Sequence, residues 1–189
     1  MNKIRKLEIG PGNERLPGFE TINIAPGPFT DHVGDAKKLP FVDNTFDVVY
    51  SSHCIEHMEW FEIESTICEW VRVLKPGGLL EVHTVDSTIL MRSLLELEEG
   101  REATSTPGKW KCDLHKYDPY KWAVARIMNY RRGEGKYGHT WFHRSILTPN
   151  YMRRCFSEAG LVDIEKVDEP RGNKKHRGIN MGLCGIKPI

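Results

Sequence analysis

Three features of the chain predict an α/β fold built on a doubly wound, mostly parallel sheet. Apolar, β-rich stretches recur at about residues 4–9, 20–24, 46–51 and 78–84. One long helix-period pattern, at roughly 62–74, lies between the last two of them. The first stretch, Leu7-Glu8-Ile9, runs directly into the turn Gly10-Pro11-Gly12. A strand that ends in a glycine turn is the usual opening of a sheet that binds a ligand at its carboxyl edge.

Taken in order, each element has a local reason. Only about ten residues separate the first two stretches, which is barely the minimum for a parallel crossover. The first crossover helix is therefore expected to be shortened or absent. Thr21-Ile22-Asn23-Ile24 forms the second stretch, and a short segment, Asp31-His32-Val33-Gly34, leads to Asp35-Ala36. Phe46-Asp47-Val48-Val49-Tyr50-Ser51-Ser52 is the next strand. The pattern at 62–74 places Ile63, Ile67, Trp70, Val71 and Leu74 on one face that can cover the sheet, and Pro76-Gly77-Gly78 reads as the stop of that helix. Residues 87–99 predict a helix with Ser87 or Thr88 as cap, and residues 100–118 read as irregular, broken by Gly100, Pro107 and Gly108. A further helix follows Pro119. Thr148-Pro149 supplies a cap and a first-turn proline for a last helix through Ala159, stopped by Gly160. Two closing strands are expected at 161–167 and 179–186.

At 189 residues and 21.8 kDa the chain fits a single domain with a sizeable core. We divide it into a cofactor-binding half (1–86), an insertion expected to form an acceptor pocket (87–148) and a closing helix with two strands (149–189). A formal net charge of +1 gives no bulk attraction to nucleic acid or to an anionic membrane. Mean hydropathy is −0.48, and no apolar run approaches the roughly 20 residues of a membrane span. The first residues, Met1-Asn2-Lys3-Ile4-Arg5-Lys6, do not resemble a signal peptide, so a cytoplasmic location is expected. Five widely spaced cysteines without a Cys-x-x-Cys pair fit a reducing compartment. A homodimer is compatible with the sequence, which does not set the oligomeric state.

The chemistry starts at the glycine turn. Gly10 and Gly12 around Pro11 allow close approach of a ligand to bare backbone, and Glu8 beside them selects the charge of that ligand. A pyrophosphate would be repelled by Glu8, whereas an ammonium-bearing nucleoside such as S-adenosylmethionine would be attracted. Asn23, at the end of the second stretch, is placed to meet ribose hydroxyls. Asp35 can accept from an adenine amine, with Leu39 or Phe41 packed near the ring.

The segments LEIGPG, LPGFETINIAPGP, GDAKKLPFVDNTFDVVYSSHCIEH and EWVRVLKPGGLLEV span residues 4 to 83 almost without a gap. As a set the chain resembles the class I S-adenosylmethionine-dependent methyltransferases, within them the small type 11-like enzymes associated with surface-polysaccharide synthesis. The resemblance implies a Rossmann-like methyltransferase sheet closed by a C-terminal antiparallel hairpin, with the helical insertion before it. It implies that Glu8, Gly10, Pro11 and Gly12 surround the amino-acid part of the cofactor, Asn23 and Ile24 the ribose, and Asp35 and Ala36 the adenine. Ser51 and Ser52 would lie beneath the sulfonium. The family usually has Asp at the position of Asn23, and an amide should weaken ribose binding by on the order of 1 kcal/mol.

Methyl transfer needs an aligned acceptor and a group that removes its proton. His53, Glu56 and His57 directly follow the fourth strand, and Glu56-His57 matches a pair that faces the transferred methyl in some enzymes of this class. Asp86 follows the fifth strand and could orient an acceptor hydroxyl. His143-Arg144 precedes the capped helix, where the resembled family often has His followed by a basic residue. His115 and His139 lack a matching pattern. Trp110, Tyr117, Tyr120, Trp122, Tyr130, Tyr137, Trp141 and Phe142 form an aromatic set in the insertion, serving as core for its helices or as walls for a sugar.

Three further readings are set aside. His53-Cys54-Ile55-Glu56-His57 spells the string of inverted zinc peptidases, but it begins at a strand end, so no metal is expected. Cys54 lacks the preceding proline of cysteine nucleophiles. Lys174-Lys175-His176-Arg177, with Arg171, reads as a solvated loop that could also meet a phosphate-bearing acceptor. The expected activity is methyl transfer to a hydroxyl of a sugar or small metabolite. The alternatives are a nucleic-acid or protein N-methyltransferase and a non-catalytic cofactor-binding partner.

Overall fold

The computed structural model describes residues 3–102, 118–128, 142–172 and 178–189. In chain order the elements are β1 (Lys6–Ile9), β2 (Glu20–Asn23), β3 (His32–Val33), β4 (Phe46–Ser52), α1 (Ile63–Val73), β5 (Leu74–Val85), α2 (Ser87–Glu98), α3 (Pro119–Met128), α4 (Pro149–Glu158), β6 (Val162–Lys166) and β7 (Asn180–Ile186). Two 3-10 turns, Ile55–His57 and Trp60–Glu62, lie between β4 and α1.

The strands form one sheet in the order β3-β2-β1-β4-β5-β7-β6. The first five strands pair in parallel, and β7 runs antiparallel to both β5 and β6. This is the doubly wound sheet with an antiparallel closing pair expected from the sequence. No helix joins β1 to β2, because residues 10–19 are spent on turns. The short link is long enough only because β2 lies beside β1, with Leu7 opposite Glu20 and Ile9 opposite Ile22.

Strand alternation sorts the side chains by face. Leu7, Ile9, Ile22, Val49, Leu80, Val82 and Leu183 join Ile63, Ile67 and Trp70 of α1 and Met152, Cys155 and Phe156 of α4 in the main core. The fully buried Trp70 also donates its indole N–H to Ala36 O at 2.9 Å, fixing the segment after β3 against α1. Lys6, Glu8, Tyr50, Glu81 and His83 fall on the opposite face. There Phe19 stacks edge-on against Tyr50, and Arg171 lies over the same ring. A smaller cluster of Val85, Leu90, Trp122, Ala123 and Ile179 holds α2 and α3 to the sheet.

Two sequence expectations need correction. Pro76-Gly77-Gly78 does not end the helix; α1 stops at Val73, and Leu74 already pairs with Phe46. The register then shifts so that Val48 faces Leu79, and the Pro-Gly-Gly segment is the bulge that absorbs the extra residues. Gly77 has φ +77°, and a Cβ on Gly78 would meet Lys75 O at 2.8 Å. The cap of α2 is Asp86, whose carboxylate accepts from Thr88 N at 2.9 Å, rather than Ser87 or Thr88. Thr148 and Gly160 bound α4 as expected, Thr148 capping it and Gly160 adopting φ +84°.

Candidate active site

Beyond β1 the chain extends to β2 and β3 on one side and to β4 and β5 on the other, so the switch point of the sheet lies between β1 and β4. Gly10 stands at the end of β1 with φ +70°. Its N–H donates to Ile22 O at 3.0 Å, which ties the turn to β2. A Cβ on Gly10 would lie 2.9 Å from Cys54 Sγ and 3.0 Å from Cys54 Cβ, so backbone alone fits there. Gly12 also has positive φ, and Pro11 is buried between the two. Glu8 is only 2% exposed, and its Oε2 accepts from Leu16 N at 2.7 Å. Its charge sits under the turn and fastens it.

At the edge of the adjoining strands, Asn23 ends β2, with its Oδ1 accepting from Ile24 N at 2.9 Å. Ile24 is exposed. Asp35 Oδ1 accepts from Lys37 N at 2.9 Å, and Ala36 is held by Trp70. Leu39 is part of the main core, and Phe41 packs edge-on between His32 and Phe46 at 5.0 and 4.9 Å. The two residues expected beside a purine ring are thus engaged in packing around β3 and β4.

The end of β4 carries the ionisable cluster. Ser51 and Ser52 are buried, Ser51 Oγ donating to Ile9 O at 3.2 Å across to β1. His53 follows with φ +54°, a left-handed conformation that costs a histidine energy and is found where the surroundings enforce it. Its Nδ1 lies 2.9 Å from Glu56 Oε1. Glu56 is 2% exposed, and its Oε2 accepts from Thr84 Oγ1 at 3.0 Å. Burial alone would raise the Glu56 carboxyl; the His53 hydrogen bond and the nearby His53, His57 and His143 outweigh it and bring it down to about 2.

His143 reaches this cluster from 86 positions later in the chain because residues 142–147 are stitched onto the turn after β4. Arg144 N donates to Glu56 O at 2.8 Å, Ser145 Oγ to Met58 O at 2.6 Å, and Arg144 Nη1 to Glu59 Oε1 at 2.7 Å. The rings of His57 and His143 then lie 5.1 Å apart. His57 Nδ1 is 3.1 Å from Phe142 O, and His143 Nδ1 is 3.2 Å from Ile127 O. A carbonyl can only accept, so both Nδ1 atoms carry the proton and both Nε2 atoms keep a lone pair. Burial, partly opposed by the charge of Glu56, holds the His143 imidazole below its usual value.

The structure therefore brings together His53, Glu56, His57 and His143, and places Asp86 at the start of α2 as its cap. Sequence reasoning missed Cys54 as the wall behind Gly10 and Thr84 as a partner of Glu56. Thr84 carried a faint signal, being a polar residue on the core-facing parity of β5. Trp110, Tyr117, Tyr130, Tyr137, Trp141, His115, His139, Cys112 and the run Lys174-Lys175-His176-Arg177 lie outside the described residues. Of the aromatic set, Trp122 is buried against α2, while Tyr120 and Phe142 are exposed.

A family profile described as "Methyltransferase domain" matches residues 19–82. Ajmaline N-methyltransferase of Rauvolfia serpentina is 40% identical over 91 residues, 45% of this chain and 30% of that protein. The ubiquinone/menaquinone biosynthesis C-methyltransferase of Ruegeria sp. is 29% identical over 153 residues, 81% of this chain and 50% of its own length. The chain thus spans half or less of these curated relatives. Among solved structures, a possible histamine N-methyltransferase from Thermotoga maritima superposes with a TM-score of 0.53 at 15% identity, over 99% of this chain and 84% of that one. Haemonchus contortus phosphoethanolamine N-methyltransferase 2, solved with S-adenosyl-L-methionine, gives 0.55 at 13%, over 98% of this chain and 49% of that one. At these identities the structures speak for the fold. Residues 19–82 thus match a methyltransferase domain, and the strand order with the glycine turn at the switch point gives the chain the fold of the S-adenosylmethionine-dependent methyltransferases it is similar to.

Proposed function

We propose that the chain transfers a methyl group from S-adenosylmethionine to a hydroxyl of a sugar or other small metabolite. One observation carries this reading: Cys54 packs directly behind Gly10, so the turn at the switch point and the histidine-carboxylate cluster are immediate neighbours. A ligand held at the turn would present its reactive end to that cluster.

The residues suit the cofactor. The turn at Gly10 is bare backbone packed so closely on Cys54 that a Cβ would not fit, and the buried Glu8 carboxylate beside it suits an ammonium. Glu8, Gly10, Pro11 and Gly12 would hold the amino-acid part, Asn23 and Ile24 the ribose, and Asp35 and Ala36 the adenine, with Ser51 and Ser52 beneath the sulfur. When bound, the cofactor supplies an electrophilic methyl on a sulfonium. The chain's own task is to align the acceptor and to remove its proton. His53 or His57 takes that proton: Glu56 orients the first, and the Phe142 carbonyl leaves a lone pair on the second. His143 and Asp86 orient the acceptor, and residues 87–148 supply the wall of its pocket.

The relatives carry N- and C-methyltransferase names, so nitrogen and carbon acceptors are the rivals of oxygen. Imidazoles beside a buried carboxylate favour an acceptor that must lose a proton, and the net charge of +1 disfavours a nucleic acid. A non-catalytic partner module would bind the cofactor and transfer nothing. Calorimetry with S-adenosylhomocysteine should show saturable binding that Asn23→Asp tightens about fivefold, the equivalent of about 1 kcal/mol. Labelled methyl should pass to fractionated sugars or small hydroxylated metabolites. Binding without transfer to any acceptor class would support the partner module instead.

A further inference from the structure

We propose that Glu56, His57 and His143 hold a divalent transition-metal ion, which takes the acceptor oxygen as a further ligand. No metal was expected from the sequence, because the H-x-x-E-H string begins at a strand end rather than within a helix. His53 sits in the left-handed region and Ile55–His57 is a single 3-10 turn, so the set keeps Glu56 and His57 of the string but takes His143 in place of His53. The third comes from the segment after α3, in register with His57 through the contacts of Arg144 and Ser145.

Among the described residues this is the one group of three or more His, Cys, Asp or Glu side chains whose ligand atoms approach within 4.8 Å of one another. Ligands about 2.0–2.2 Å from one ion lie roughly 3–4 Å apart, so a small inward rotation of the half-buried imidazoles closes the set. Three features beyond proximity point to a cation. Both imidazoles donate Nδ1–H to a backbone carbonyl, the arrangement that fixes the tautomer and leaves Nε2 to a metal. The two carboxylate oxygens contact His53 Nδ1 and Thr84 Oγ1, each oxygen retaining a second lone pair for an ion. Two imidazole nitrogens with one carboxylate suit a late first-row ion such as zinc, cobalt or nickel better than calcium or magnesium.

This inference rests on the methyltransferase reading and deepens it. With His57 and His143 engaged as ligands, His53 is left as the base. The acceptor hydroxyl, bound to the ion, is made more acidic and gives its proton to His53. The resulting oxygen lone pair forms the new O–CH3 bond as the S–CH3 bond breaks, and that bond's electron pair stays on sulfur, leaving a neutral thioether. No oxidant or reductant is consumed.

The test uses the full chain without an affinity tag, stripped with a chelator and dialysed against Co2+. The wild type should take up about one equivalent and develop visible absorption from a coordinated Co2+ centre. The His57→Asn/His143→Asn double variant should lose at least tenfold in Co2+ affinity. Both residues are partly exposed, so the variant should fold, and its far-ultraviolet dichroism checks this. Failure of the wild type to bind Co2+, or undiminished uptake by the double variant through its cysteines, overturns the proposal. S-adenosylhomocysteine calorimetry on the same samples separates the two claims: binding of the nucleoside without Co2+ removes only the metal, and absence of nucleoside binding removes the methyltransferase reading beneath it.

Discussion

Gly10 shows how one position can be decided twice, by its own backbone and by its neighbour. The left-handed φ costs a non-glycine residue about 1–2 kcal/mol, and Cys54 leaves no room for a Cβ. Gly10→Ala should therefore lose about 2 kcal/mol or more in urea unfolding, and Cys54→Ala on that background should return part of it. An additive double variant would show that the two residues do not press on each other. A second residue-scale prediction concerns Glu81. Burial would raise its carboxyl, but His83 at 2.9 Å and Arg171 at 2.7 Å hold it below the ordinary carboxylate value. A depressed folded value contributes stability above the unfolded pKa and loses it as pH falls through the folded one. Arg171→Met removes one of the two partners, so acid unfolding followed by circular dichroism should move to higher pH. Because Arg171 is partly solvent-exposed, the loss at neutral pH should be only about 2 kcal/mol. An unchanged acid midpoint would mean that His83 alone suffices.

At the scale of elements, Asp86 has two candidate duties, and substitution can separate them. As cap of α2 it should be replaceable by Asn at little cost, whereas Asp86→Ala should lose about 1 kcal/mol. If it also orients the acceptor, Asp86→Asn should keep its melting temperature and still raise KM for the acceptor. Equal kinetics for wild type and Asp86→Asn would leave the carboxylate with the helix alone. The same scale explains what the sequence could reveal. Period-two and period-3.6 patterns marked the strands and α1 because burial on one face forces those periods. Glu8, Gly10 and Asn23 were legible because a sheet with a glycine turn has one edge where ligands bind. The Pro-Gly-Gly segment misled because it is a breaker in either state, and only its pairing with β4 shows that a strand had already begun. Asp86 went unread as a cap because Ser87 and Thr88, equally good capping residues, stood beside it. His143 could be flagged but not placed. Its position depends on backbone contacts between residues 142–147 and the turn after β4, which leave no periodic trace.

At the scale of the whole molecule, the described residues clothe the sheet unequally. Helices α1 and α4 seal the apolar face, while over Tyr50 the other face is covered by Phe19 and Arg171. Leu16 belongs to that cover through its N–H bond to Glu8, and a Cβ on Gly172 would come within 2.9 Å of its Cδ2. Lacking the apolar area of a helix, the link at 10–19 should open more readily than the core. Native-state hydrogen exchange should find the Leu16 amide less protected than amides of α1 and β5, and S-adenosylhomocysteine should raise its protection above any change in those elements. Equal slowing everywhere would show that the link does not open by itself. The missing crossover helix thus joins two events that a thicker fold would keep apart. Loosening of the link, which bears on Tyr50 through Phe19, should also let water approach the His83 ring beside that tyrosine, and a tightly seated guest should in turn keep the Glu81–His83 contact dry.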